Sequence, residues 1–534
     1  MTFKDLSIKA LKAYLRTAAV IDDAALATQP KESTPATTLQ TPGRGAQASQ
    51  QPEGPKEFKG AFLDVPALVD AFLEQDILCT VFGRKEVLTE NIAALLRSDI
   101  LVVDWKLGDD GTITNRFIHR CAAMHPHALH MICIYTSEKD FAAIEQKLRD
   151  ISPNLEKRQD SPPAYSIGST YVLIVDKDHS EKALPKLLLD AFAPLVGGLL
   201  RNAVFHSIGA IRNNTHALLD RFHPDLDPAF VTHRVYSTPC EDTEQHIISL
   251  ICSEISSILH QEKISNWLNK ENIFTWINND RLEDNYKRFL TIIGGKQQTQ
   301  STISRSHIEL AIQHVLSYGI NSKYEPSEDN DSKKVHEIIK QFQSTIKSNK
   351  LKDSYMTGFW GAKKPSFVDV KLSMLMSCVH FYGNIPPIMQ SGTIIKENDS
   401  DNYYGCIQPP CDCFRIEQEG RPFLFTPLQK VSTDSSFDIS FLLNDTDTPS
   451  YLSKYKKAYR VKAIHFIPST AGENIYAELS NKDYIFKDAD DKEYIFCIQL
   501  NEIHALRLIQ TYSSDLARIG LMESDWQRRI ASKN

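Results

Sequence analysis

The chain predicts a doubly wound parallel α/β domain, followed by a helical domain and a C-terminal α+β domain. Two observations predict the first part. Apolar runs without alternation stand at 17–23 (TAAVIDD), 77–82 (ILCTVF), 100–104 (ILVVD), 131–137 (MICIYTS) and 171–177 (YVLIVDK). Such runs suit strands buried on both faces of a parallel sheet. Helical patterns fill the gaps between them, giving the alternation βαβαβαβαβ.

The elements follow in order. The first strand ends in Asp22 and Asp23, and residues 24–58 come next, rich in Pro, Thr, Gln, Ser and Gly. That composition predicts a disordered insertion entering beside the strand end. Helices are expected over 66–75, 87–97, 113–124 and 139–149. The polar stretch 152–170, with Pro162-Pro163, reads as a second tolerated loop insertion, because loop growth costs little closure entropy. Helical character resumes at Glu181 and runs to about Ile211, with Pro194 and Gly197-Gly198 expected to kink or interrupt it. This stretch is either an extended last helix of the first domain or the first helix of the next.

In an open parallel sheet, residues at the carboxyl ends of the strands line the ligand crevice. Asp22, Asp23, Asp104, Thr136 and Lys177 therefore converge. Three carboxylates, a hydroxyl and an ammonium suit a magnesium-dependent phosphoryl site. Neighbouring carboxylates repel without a cation, and Mg²⁺ takes octahedral oxygen ligands.

This ordered set, with the loop DWKLGDDG at 104–111, resembles the receiver domain of two-component response regulators, a five-stranded flavodoxin-like fold, over residues 1–205. The resemblance implies that Asp23 binds Mg²⁺ directly and Asp22 through water. Asp104 and the backbone carbonyl of Lys106 would complete the protein's ligands. It implies Asp104 as the nucleophile that takes a phosphoryl group from a histidine kinase or phosphotransfer protein, with Lys177 and Thr136 holding the phosphoryl oxygens. Ser137 is small, as the family requires. Two positions depart from the pattern. Asp178 replaces the proline after the lysine and adds a negative charge near the phosphate. Ile174 replaces the aromatic three positions before the lysine, which puts the family's usual signal readout in doubt. Lys106 and Glu138 occupy the positions that tune phosphoryl lifetime in the family. The chain also looks like the divergent receivers of bacterial two-component phage-defence operons, such as the buffering component of Detocs-type systems.

Composition sets the bounds. With 534 residues, two to four domains are expected. The near balance of 60 basic and 67 acidic residues gives nucleic-acid binding no electrostatic support. Without a run of 18 apolar residues or a hydrophobic leader, and with ten cysteines in apolar or helical surroundings, a soluble cytoplasmic protein with reduced thiols is expected.

The remaining chain divides into a helical domain, 206–350, and an α+β domain, 351–534. Helical periodicity marks 247–260, 286–293, 306–318 and 334–347. His206, His216, His246, His260, His307 and His314 have no metal-site spacing and read as surface or core histidines. Cys406, Cys411 and Cys413 form a candidate Zn²⁺ site, with Cys378 or His380 as a fourth ligand. A rigid Pro409-Pro410 turn with small buried thiols explains the same residues. Strands are expected at 423–425, 459–467 and 494–498, and a closing helix at 502–520.

Three functions follow. The first is a phosphoacceptor regulator, acting as a switch or as a phosphate buffer; a homodimer through the last receiver helix is open to it. The second is a silent receiver-like scaffold. The third is a phosphorylation-controlled effector enzyme within 353–534, although no P-loop, nucleophile elbow or kinase signature is present.

Overall fold

The computed structural model describes residues 1–26, 63–83, 87–107, 110–236, 242–278, 286–287, 303–348, 355–381, 385–432, 436–443, 448–454 and 460–516. Most of the 24–58 insertion, most of the 286–293 helix and the end of the closing helix lie outside them. The chain divides into two units, Met1–Asn279 and Asp280–Asn534.

The first unit begins with helix α1 (Phe3–Tyr14), which the apolar-run reading did not anticipate. A reciprocal cap holds its start: the Asp5 amide donates to the Thr2 hydroxyl and the Thr2 amide to the Asp5 carboxylate. There follow β1 (Thr17–Ile21), α2 (Val65–Leu73), β2 (Leu78–Phe82), α3 (Val87–Glu90), α4 (Ile92–Leu95), β3 (Ile100–Asp104), α5 (Thr112–Met124), β4 (His130–Thr136) and α6 (Phe141–Ile151). Strands β5 (Glu156–Asp160), β6 (Pro163–Ile167) and β7 (Thr170–Asp176) complete the sheet. Its order is β2-β1-β3-β4-β7-β6-β5. The first five in that order pair in parallel, in the doubly wound arrangement expected.

Two local expectations need correction. The 152–170 stretch is not a loop: β5 and β6 form an antiparallel hairpin that extends the sheet beside β7. Ala164 and Tyr165 are buried there, so two inward residues hold an otherwise polar hairpin in place. The 87–97 helix is broken at Asn91 into two short pieces.

Two apolar layers cover the sheet. Ala18, Val20, Val102, Cys133 and Leu173 belong to one, with residues of α1 and α2. Ile21, Val103, Ile134 and Ile174 belong to the other, with residues of α3 to α6. Beyond β7 come α7 (Leu184–Val196) and α8 (Leu199–Asn213), separated at Gly197-Gly198. Leu188, Leu189 and Phe192 of α7 join the first layer, so α7 belongs to the receiver's own core. Helix α8 packs on α1. A buried Asp99 anchors it: Asp99 accepts from the Arg16 and Thr17 amides and pairs with Arg212 at 3.3 Å. Helices α9 (Thr215–Arg221), α10 (Asp227–Tyr236), α11 (Asp242–Gln261) and α12 (Lys270–Asn278) complete this unit.

In the second unit, helices Arg305–Tyr318 and Asn330–Ser348 pack together. A ten-stranded sheet follows, built from β8 (Cys378–Val379), β9 (Thr393–Glu397), β10 (Tyr403–Cys406), β11 (Arg421–Lys430), β12 (Ile439–Leu442), β13 (Pro449–Lys454), β14 (Lys462–Phe466), β15 (Glu478–Ser480), β16 (Asp483–Lys487) and β17 (Glu493–Leu500). Its pairings are antiparallel. Helix Pro365–Ser377 lies against β12, and helix Glu502–Leu516 follows β17.

Candidate functional site

The connection from β1 runs outward to β2, and the chain then returns to β3 on the other side of β1. This reversal opens the crevice at the carboxyl ends of β1 and β3. Asp22 and Asp23 follow β1, Asp104 closes β3, Thr136 closes β4, and Lys177 follows β7. The sheet therefore brings all five predicted residues to one edge.

Lys177 is the centre of the geometry. Its Nζ stands 2.7 Å from Asp22 Oδ2 and 2.9 Å from Asp104 Oδ2. Burial alone would lower the Lys177 pKa, but the two carboxylates outweigh it and the net shift is upward. Asp104 is pushed the other way for an acid. Burial raises its pKa first, Lys177 opposes, and the Asp22 charge raises it further. The Lys106 amide donates to Asp104 Oδ1 at 3.4 Å. Thr114 Oγ1 donates to the Asp104 backbone carbonyl at 2.8 Å and so ties the end of β3 to α5.

Carboxylate oxygens of Asp22, Asp23 and Asp104 lie within 4.8 Å of one another, the one such candidate metal group among the described residues. Lys177 supplies a single positive charge, and the donors are hard oxygens. That set fits Mg²⁺.

Thr136 is fully buried, and its Oγ1 accepts from the Glu138 amide at 3.1 Å. Ser137 is exposed beside it. At the mouth, the Lys106 ammonium pairs with the Glu138 carboxylate. Asp178, expected to weigh on a bound phosphate, is instead exposed and paired with Lys139, which also holds Asp176 at 2.6 Å. Ile174 is wholly buried. The aromatic of this region is Tyr135 on β4, whose hydroxyl donates to the His179 carbonyl at 2.8 Å.

Sequence reasoning missed Thr114, Lys139 and Tyr135. Lys139 had a signal, since an acidic residue after the lysine invites a search for its counter-ion. Thr114 had none.

Of the described cysteines, only Cys406 and Cys413 come together, their side chains sharing a hydrogen bond. Cys406 and Cys413 are buried in one apolar cluster with Phe423 and Phe466, while Cys411 is exposed with its Sγ on Asp412. Cys378 belongs to a different cluster. Burial raises the Cys406 thiol's pKa well above its usual value, as expected of an inert core thiol.

The parallel sheet thus carries an acidic trio, a hydroxyl and a lysine at its carboxyl edge. Residues 14–182 match the family described as Response receiver domain. This part of the chain is similar to response receiver domains, which supports a two-component response regulator role. Such domains work with a histidine kinase or a phosphotransfer protein. Comparison with curated proteins and with solved structures found no match. Among the described residues, no helix is long and apolar enough to cross a membrane.

Proposed function

We propose that Asp104 is the phosphoacceptor of a cytoplasmic two-component system. The single observation that carries this reading is the Lys177 ammonium held between Asp22 and Asp104, with Asp23 in the same carboxylate cluster.

An Asp104 carboxylate oxygen attacks the phosphorus of a phosphohistidine. The P–N bond breaks, its electron pair stays on the imidazole nitrogen, and an acyl phosphate forms on Asp104. Lys177 leaves its contact with the carboxylate to neutralise an equatorial phosphoryl oxygen. The Thr136 hydroxyl donates to another. Asp22, Asp23, Asp104 and the Lys106 carbonyl would hold Mg²⁺, which supplies charge neutralisation at the transferring group.

Of the two modes, the phosphate buffer is favoured. Ile174 leaves no aromatic to turn inward at that position, and Tyr135 is tied to the His179 carbonyl. The helical part, 206–350, and the α+β part, 351–534, would carry contacts with partners. A role in phage defence rests on the resemblance to buffering receivers.

The test is phosphorylation of wild type and Asp104→Asn with Mg²⁺ and acetyl phosphate, followed by intact-mass spectrometry and acyl-phosphate decay. Complete loss in Asp104→Asn is expected, and a long-lived phosphate on wild type points to the buffer. No phosphate on wild type, or equal phosphate on both, overturns the reading and favours a silent scaffold.

A further inference from the structure

In the second unit, one face of helix Glu502–Leu516 presents polar groups to a cavity beside the apolar Leu508. His504, Arg507 and Thr511 recur at helical spacing and line it, opposite Ser440 of β12 and Lys454 of β13. The cavity holds about 210 Å³. Its floor is apolar, with Leu500 and Leu508 buried, and Phe437 forms one wall. The Phe437 ring is braced by Tyr451, at 4.8 Å between centroids.

The polar groups are unevenly satisfied. Lys454 Nζ pairs with Asp515 at 2.9 Å. Asp438 Oδ2 accepts from the Lys454 amide at 2.9 Å and from Ser453 Oγ at 3.3 Å. Ser440 Oγ is buried and donates to Ser373 Oγ at 3.2 Å. Thr511 Oγ1 donates to the Arg507 carbonyl at 2.6 Å. Among the described residues, neither the Arg507 guanidinium nor the His504 ring makes a hydrogen bond or ion pair. Arg507 is exposed at the rim and His504 half-buried beside it, so both present their N–H groups to the cavity mouth. A guanidinium with spare N–H groups beside hydroxyls takes a phosphate or carboxylate, often bidentately.

The geometry points to a binding site for a small organic phosphate, its phosphate on Arg507 and His504 with Ser440 and Thr511 as neighbours, and its apolar part against Phe437. The cavity is smaller than the roughly 300–1,000 Å³ of drug-sized pockets, so the ligand is a compact one. This site is independent of the receiver's carboxylates and would let a metabolite act on the second unit.

The experiment uses the full chain in EDTA, which keeps metal off the receiver site, and titrates phenyl phosphate by calorimetry. Saturable binding to wild type is expected, with inorganic phosphate competing and phenol silent. Arg507→Gln should weaken binding roughly tenfold or more, the loss of one charge-assisted contact. His504→Gln is the second variant, and circular dichroism confirms that both variants fold. No saturable binding to wild type, phenol binding as tightly as phenyl phosphate, or unchanged affinity in both variants overturns the proposal.

Discussion

The two sheets treat polar strand ends in opposite ways. In the receiver, parallel pairing puts the carboxyl ends of β1, β3, β4 and β7 on one edge. Asp22, Asp104, Thr136 and Lys177, far apart in sequence, therefore share one crevice. In the ten-stranded sheet, antiparallel pairing sends neighbouring strand ends to opposite edges. Cys406 closes β10 and packs inward with Cys413, while Cys411 stays in solvent. Topology thus decides whether clustered chemistry in a sequence becomes clustered chemistry in space. The cavity of the second unit accordingly forms between sheet and helices, not at a common strand edge.

The largest expected effect that sharpens this contrast is at Lys177. Lys177→Met leaves Asp22 and Asp104 buried without a cation and should cost about 3–5 kcal/mol at neutral pH, as for other broken buried pairs. Chemical denaturation measures it. The Lys177 pKa is raised in the fold, so its contribution is fully present below the unfolded value of about 10.4 and fades as pH climbs through the folded one. A Lys177→Met variant as stable as wild type would remove Lys177 from the centre of the site.

The cysteines give a smaller and more discriminating effect. Cys413→Ser places a hydroxyl in an apolar cluster, where Sγ donates to the Pro409 carbonyl at 3.4 Å, and should cost about 1–3 kcal/mol. Cys411→Ser should leave the unfolding midpoint within experimental scatter of wild type. Equal destabilisation by both would mean that the three cysteines act together, as in a shared zinc site.

Legibility followed the same divide. The receiver's strands were readable because burial on both faces demands unbroken apolar runs such as 100–104 and 131–135. The site was readable because the ends of those runs necessarily meet. The 152–170 hairpin was not, since its outer strand, EKRQD at Glu156–Asp160, is almost wholly solvated and carries no apolar signal. Helix α1 was written locally, in the Thr2–Asp5 cap and the buried Leu6, Ala10 and Leu11, and was missed because the strand runs drew the reading to residue 17. The partner of Asp178 was hidden for a different reason. A charge reads as a liability until its counter-ion is known, and Lys139 stands 39 positions away. In the second unit, the strands beginning at Arg421, Lys462 and Glu493 were visible, but their pairing was not, because an antiparallel order depends on partners that local patterns do not name.

The smallest effect concerns the metal. The folded Asp104 carboxyl has a raised pKa, through burial and then the neighbouring Asp22, with Lys177 opposing. The fold therefore keeps a proton that the unfolded chain has released. In EDTA, this group's contribution to stability should fall as pH climbs from about 3.9, the ordinary Asp value, through the raised one. Above that window the ionised cluster carries excess negative charge, which a cation relieves. Mg²⁺ at ten times its Kd should then add about 1.4 kcal/mol at neutral pH, by mass action on the folded state. Thermal unfolding with and without Mg²⁺ reads this directly. Asp23→Asn supplies the control, because it removes the most exposed member of the trio and leaves the Lys177 contacts with Asp22 and Asp104 in place. Its Mg²⁺-dependent shift should shrink markedly, whereas a shift equal to wild type would place the cation elsewhere and break the link between the parallel edge and metal binding.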